Sequence, residues 1–159
     1  MDPFATNTGY NLGRLFAVLA RIQAEDYGSS GPLMNQFSLA CNRPRHAFLR
    51  FMQSSVQSEK RLMRQDETRG IAMWLSRIKD TVIGEVGIEI PVQLSTEDQE
   101  QFVLGYHHMR KWFFLSKEER RAWAAMYENL SSAFIPKEED DGSQEEQKDS
   151  SDTKKEGVA

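Results

Sequence analysis

The sequence predicts an all-α fold: a compact bundle of five or six helices followed by a disordered acidic C-terminal tail. Apolar residues recur every three or four positions before Pro136, which is the spacing that places side chains on one face of a helix. Strand-like alternation is nearly absent. After Pro136 this spacing stops, and the chain becomes rich in Glu, Asp, Lys and Ser. At 159 residues, the chain is long enough for one domain with a real core.

The first half of the chain carries three predicted helices. The first has an apolar stripe formed by Leu12, Leu15, Phe16, Leu19 and Ile22. A run of turn-forming residues from Tyr27 to Pro32 ends it, and a short helix is expected at about 33–40. Pro44 opens the third helix, because proline suits the first helical turn.

The second half is also helical, apart from an extended linker expected at 88–92. The pattern at about 68–84 predicts a helix with an apolar arc of Ile71, Trp74, Leu75, Ile78 and Val82. Ser95 is a suitable N-cap for the next helix. The core residues expected from that helix are Phe102, Tyr106, Met109 and Phe113.

The last predicted helix begins at Ser116, and Glu119 completes a capping box. Its apolar stripe is Trp123, Met126, Tyr127, Leu130 and Phe134. Two aromatic residues just before it, Trp112 and Phe114, fall off the main stripe of the preceding helix. We expect these two side chains to lie at a subunit interface.

The chain divides into three segments: a leader at 1–9, a helical domain at 10–135 and the tail at 136–159. From Lys137 onward, four lysines face nine acidic residues, a net charge of −5. Because the whole chain carries −4, the remainder is near neutral at +1. The tail has one large aliphatic residue, Val158, so burial cannot offset the entropy of ordering it.

Several classes of protein and site are disfavoured by the sequence. No apolar run reaches the roughly 20 residues that span a bilayer, and the start lacks the pattern of a signal peptide, so we expect a cytoplasmic location and no membrane contact. Cys41 is the only cysteine and is expected to be a small buried thiol. His107 and His108 diverge by about 100° on a helix and cannot share a metal ion. We therefore predict no catalytic, cofactor or metal site, and no enzyme.

The most informative pattern is a basic stripe. If one helix runs over 43–64, six polar residues project within an arc of about 80°: Arg43, His46, Arg50, Gln57, Arg61 and Arg64. Guanidinium groups in a row suit a phosphate backbone, because each makes charge-assisted contacts. The predicted nucleic-acid ligands are Arg43, Arg50, Arg61 and Arg64, followed by Lys60, Arg77, Lys79, Arg110 and Lys111.

Other interpretations of the stripe stay open. It is also compatible with a solvated helix face or with an assembly adaptor that binds only the acidic surfaces of partner proteins. Glu59 falls on the apolar side of the same helix, and Ser54, Ser55 and Ser58 favour a break in it. A helix-turn-helix regulator is disfavoured, because no convincing recognition pair is present.

Two stretches resemble a known family. Residues 10–19, Tyr-Asn-Leu-Gly-Arg-Leu-Phe-Ala-Val-Leu, are similar to the opening of the C-terminal helical domain of the type I-C CRISPR Cascade large subunit. The same segment opens the separate small subunit. Residues 94–108, from Leu94 through Phe102-Val103-Leu104-Gly105-Tyr106, resemble the closing motif of that domain. The segments 44–53 and 74–85 add weaker similarity between them.

The resemblance implies a helical bundle that lies along the inner curve of the Cascade backbone. Its members contact the backbone and large subunits, occur in more than one copy, and help to hold opened DNA, particularly the displaced strand. They do not cut DNA. The resemblance thus implies guide RNA and target DNA as partners, with sequence read by guide pairing rather than by the protein.

Overall fold

The helical spacing of the sequence corresponds to six α-helices in the described part of the chain. The computed structural model describes residues 7–28, 32–87 and 89–126, in which no strand occurs. The helices are α1 (Thr8–Tyr27), α2 (Phe37–Asn42), α3 (Pro44–Arg64), α4 (Asp66–Val86), α5 (Thr96–Phe113) and α6 (Lys117–Met126), with a 3-10 segment at Pro32–Gln36. The all-α prediction is confirmed.

Part of the prediction falls outside these residues. The continuation of the last helix through Tyr127, Leu130 and Phe134, and the acidic tail at 136–159, lie beyond the described residues. The leader predicted at 1–9 is described only from Asn7, and its boundary falls inside α1, which begins at Thr8. The Asn7 side chain caps α1 by accepting a hydrogen bond from the backbone N–H of Tyr10 at 2.9 Å.

Most helix boundaries follow the local signals. Ser95 caps α5, its hydroxyl accepting from the N–H of Asp98 at 3.1 Å. Ser116 and Glu119 form the predicted capping box, with reciprocal bonds of 2.8 and 3.2 Å. Two regions differ. The short helix expected at about 33–40 is a 3-10 segment at Pro32–Gln36 followed by α2. α4 begins at Asp66 rather than about 68, and Gln65 alone, in extended conformation, separates it from α3.

α1 forms the centre of the bundle. It packs against α3, α4 and α5, and its residues from Gly9 to Ala20 are buried around the whole circumference. Phe16 lies in the middle with its side chain fully buried, and its ring lies 5.4–6.5 Å from five other rings. These rings belong to Phe37, Phe48, Phe51, Phe102 and Tyr106. The aromatic core therefore connects α1 with α2, α3 and α5.

The two helices α1 and α5 run parallel with their backbones in contact. A Cβ atom placed on Gly13 would lie 2.0 Å from the carbonyl oxygen of Phe102, and one on Gly105 would lie 2.0 Å from that of Tyr10. Gly9 meets the Asp98 backbone in the same way, at 2.1 Å. No side chain fits in this space, so glycine is required for the close approach of the two helices.

α3 is a single unbroken helix, although Glu59 lies on its buried side. The carboxylate of Glu59 is tolerated there because it has two polar partners. Glu59 forms an ion pair with Lys79 of α4 at 2.5 Å, and Ser55 donates to the same carboxylate oxygen at 3.2 Å. Both residues of the pair are 7% exposed. The assignment of Lys79 to nucleic acid was therefore wrong, because its ammonium group is buried against its own carboxylate.

Trp112 also differs from its prediction. Its indole ring is 2% exposed and stacks on that of Trp74, with ring centroids 5.8 Å apart and planes at 20°. The Arg120 guanidinium lies over both rings and donates to the carbonyl oxygen of Phe113 at 3.0 Å. Trp112 is thus a core residue, since it continues the buried spacing of Gly105 and Met109 on α5. Its assignment to a subunit interface was wrong.

Candidate nucleic-acid interface

One side of α3 carries exposed cations and no exposed carboxylate. We call the exposed residues Arg43, His46, Arg50, Lys60 and Arg64 the basic face. The sole acidic residue of α3 is Glu59, which is buried on the opposite side. Arg61 and Arg64 lie in the last turn, where the helix dipole favours cations. The local field on this side is therefore positive.

Four of the predicted ligands on α3 and at its start keep their charge available. Arg43, Arg50, Lys60 and Arg64 are exposed, and none forms an ion pair with a carboxylate in the part of the chain that the structure describes. Along a straight helix, the 14 residues from Arg50 to Arg64 span about 21 Å. These four residues therefore stay predicted phosphate ligands.

Arg61 is the exception on this helix. Its Nε and Nη2 atoms donate to Oδ2 of Asp26 at 2.9 and 2.5 Å, and its guanidinium lies 5.6 Å from the ring of Tyr27. These hydrogen bonds hold the pKa of Asp26 below its ordinary value and raise that of Arg61. Arg61 therefore joins α3 to α1, and its prediction as a free phosphate ligand was wrong.

The remaining predicted ligands lie on other helices. Arg77 is exposed on α4 and forms no ion pair with a described residue. Arg110 and Lys111 are exposed in the last turn of α5. The structure does not bring these residues onto the basic face. Instead, Arg110 lines a separate groove between α1 and α5.

This groove has a volume of about 460 Å³ and is open to solvent. It is lined on one side by Ala17, Ala20 and Ala24 of α1, and on the other side by residues of α5. Phe114 lines it with 71% of its surface exposed, and its assignment to a subunit interface stays a prediction. The Arg21 guanidinium lies 5.8 Å from the Phe114 ring centroid.

Three further arginines have contacts that the sequence does not predict. Arg21 pairs with Glu25 at 2.5 Å and lines the groove. Arg14 is in fact buried and bonded to Glu85. Arg45 donates from Nε to the carbonyl oxygen of Ile90 at 2.7 Å, and so fixes the linker after α4. The roles of Arg14 and Arg45 depend on partners that are distant in the sequence, which no local pattern indicates.

The described residues include no group of three or more His, Cys, Asp and Glu side chains suited to a metal ion. The Tyr10 hydroxyl lies 3.0 Å from Nδ1 of His108, whereas His107 is exposed. Burial raises the pKa of the Cys41 thiol, as expected for a small buried side chain. None of the helices in the described ranges is long and apolar enough to cross a membrane.

Comparison with known proteins gives a family for this fold. A family model described as CRISPR-associated protein (Cas_Csd1) matches residues 1–114, which include α1 to α5 and end at Phe114. No curated protein matches the chain. The matched residues contain the glycine contact between α1 and α5 and the entire basic face. The chain belongs to the CRISPR-associated protein family Cas_Csd1 of type I-C, and is thus a Cascade component that assembles with other Cascade subunits.

Proposed function

We propose that this chain is a non-catalytic small subunit of the Cascade effector complex. It packs along the backbone subunits and holds unwound target DNA, either the displaced strand or the guide–target duplex, by phosphate contacts that do not depend on sequence. The observation that carries the proposal is the basic face of α3, where exposed cations face solvent with no exposed carboxylate on the same helix.

The spacing of these cations suits a nucleic-acid strand. Along the axis of a duplex each strand carries one phosphate per about 3.4 Å, so the span of about 21 Å from Arg50 to Arg64 corresponds to the length of roughly six base-pair steps. Gln53 and Gln57 are also exposed on α3 and provide uncharged hydrogen-bonding groups. Such contacts position a backbone without reading its bases.

The decisive variant replaces Arg50, Lys60 and Arg64 together by glutamine in the assembled complex. We expect weaker DNA binding and a smaller salt dependence, because each lost phosphate contact lowers the slope of log affinity against log salt by about 0.7 on a single strand and about 0.9 on a duplex. Binding of labelled target DNA measured between 50 and 200 mM salt, chosen as a practical range, provides the slope.

A matched comparison separates this role from a general charge effect. Arg50→Gln and Arg69→Gln each remove one exposed positive charge, but Arg69 is held by Asp66 at 2.8 Å. Only Arg50→Gln should lower the slope. If the triple variant assembles and binds DNA with unchanged affinity and slope, the phosphate-holding role is wrong.

A second candidate function is an assembly adaptor that binds protein alone. It is favoured by an exposed apolar row on α3, in which Leu49, Val56 and Met63 recur every seven residues and are 65%, 39% and 37% exposed. The variant Leu49→Ser with Val56→Ser should weaken association with the backbone subunits. If the triple basic-face variant also abolishes assembly, the adaptor describes the chain better than DNA holding does.

A further inference from the structure

The groove between α1 and α5 has the chemistry of a binding site for a flat apolar group. Small alanine side chains form its floor, and Phe113 and Phe114 stand at one end. α1 and α5 are in backbone contact at Gly13, and the groove lies beyond this contact, along the C-terminal halves of the two helices. The Phe114 ring is exposed at the mouth, with the Arg21 guanidinium over one of its faces.

The mouth of the groove is positively charged. Arg110 lines the groove and is exposed without an ion pair to any described carboxylate. Arg21, which also lines the groove, is paired with Glu25, so its charge is partly balanced. An anion beside Arg110 would provide the counter-charge that no described carboxylate supplies. The surroundings therefore favour a ligand that combines an aromatic ring with a negative charge.

We propose that this groove takes an unstacked nucleobase of single-stranded DNA, with Phe114 as the stacking platform and Arg110 on the adjacent phosphate. The proposal rests on the DNA-holding function and deepens it, because it gives the chain a preference for the single strand. A base in a duplex stays stacked on its neighbours and cannot enter. Stacking on an aromatic ring tolerates every base, which agrees with binding that does not depend on sequence.

The test uses the full chain and three fluorescent probes: a 20-nucleotide oligothymidine, a strand of equal length made of abasic sites, and a 20-base-pair duplex. Phe114→Ala should weaken oligothymidine binding by about tenfold, within the range found for loss of one stacked base. It should leave binding of the abasic strand and of the duplex unchanged. Phe114→Trp should retain binding, and its indole fluorescence should be quenched by the oligothymidine.

Val92→Ala is the matched control, because Val92 is 62% exposed and does not line the groove. It should bind all three probes like the unmodified chain. If Phe114→Ala weakens the abasic strand as much as oligothymidine, or weakens neither, the stacking site is wrong while the phosphate-holding function stands. A loss of Cascade assembly with unchanged oligothymidine binding would assign the groove to a partner protein and also overturn the proposal. If the unmodified chain retains no probe, the proposed function itself fails.

Discussion

At the scale of single residues, the pair of Glu59 and Lys79 decides how α3 meets α4. Both side chains are nearly excluded from solvent, and they are joined at 2.5 Å. A charge in this position is tolerated because its partner and the Ser55 hydroxyl replace water. The pair fixes the alignment of the two helices at one point, whereas apolar contacts permit several alignments.

Removing one partner should be far more harmful than removing both. Lys79→Met leaves the Glu59 carboxylate buried without its counter-charge, and we expect a loss of about 3 kcal/mol or more in the free energy of unfolding. The double variant with Glu59→Leu should recover most of this loss. Urea denaturation of both variants measures the difference, and equal losses would show that the pair is not coupled.

The contact of Asp26 with Arg61 predicts a pH dependence. Because the pKa of Asp26 is lowered in the folded state, mainly by the hydrogen bonds from Arg61, its stabilising effect is present above the ordinary value of 3.8 and is lost as the pH falls through the lower folded value. The difference in unfolding midpoint between the unmodified chain and Asp26→Asn should therefore be larger at pH 6 than at pH 2.5, two points chosen roughly on either side of that interval. A difference that stays constant over this range would contradict the assignment.

At the scale of helices, features formed by residues close in the sequence could be predicted, whereas contacts between different helices could not. The caps at Ser95 and Ser116 follow from side chains three residues apart, so the sequence contains all the information needed to place them. Lys79 and Arg61 were misassigned because their carboxylate partners lie on other helices. The basic face was predicted because periodicity within one helix defines it, and the groove was missed because two helices must diverge to create it.

The glycine contact between α1 and α5 gives a prediction about helix packing. Gly13→Ala would place a methyl group 2.0 Å from a backbone oxygen, so the helices must separate, and we expect a loss of about 3 kcal/mol in the free energy of unfolding. Gly70→Ala is the control, since no atom lies within 4 Å of the added Cβ on α4. It should stabilise the chain by about 0.5–1 kcal/mol. Thermal unfolding compares the two, and similar effects would refute the close-packing role.

At the scale of the whole molecule, charge is segregated along the chain. The residues up to Pro136 carry +1, whereas the last 23 carry −5. We propose that the acidic segment reduces non-specific adhesion of the basic face to nucleic acid, since like charges repel. Deletion of residues 137–159 should then increase retention of unrelated DNA at low salt. Unchanged retention in a filter-binding assay would remove this role.

The contact of Gly9 with Asp98 has a consequence for biosynthesis. α1 is synthesised before α5, yet the backbone surface that Gly9 contacts is made 89 residues later. At a synthesis rate of about 5–20 residues per second, α1 waits roughly 5–20 s with its buried circumference exposed to water. We therefore expect nascent chains that stop before α5 to be strongly bound by chaperones, and release to coincide with the emergence of Phe102 and Tyr106.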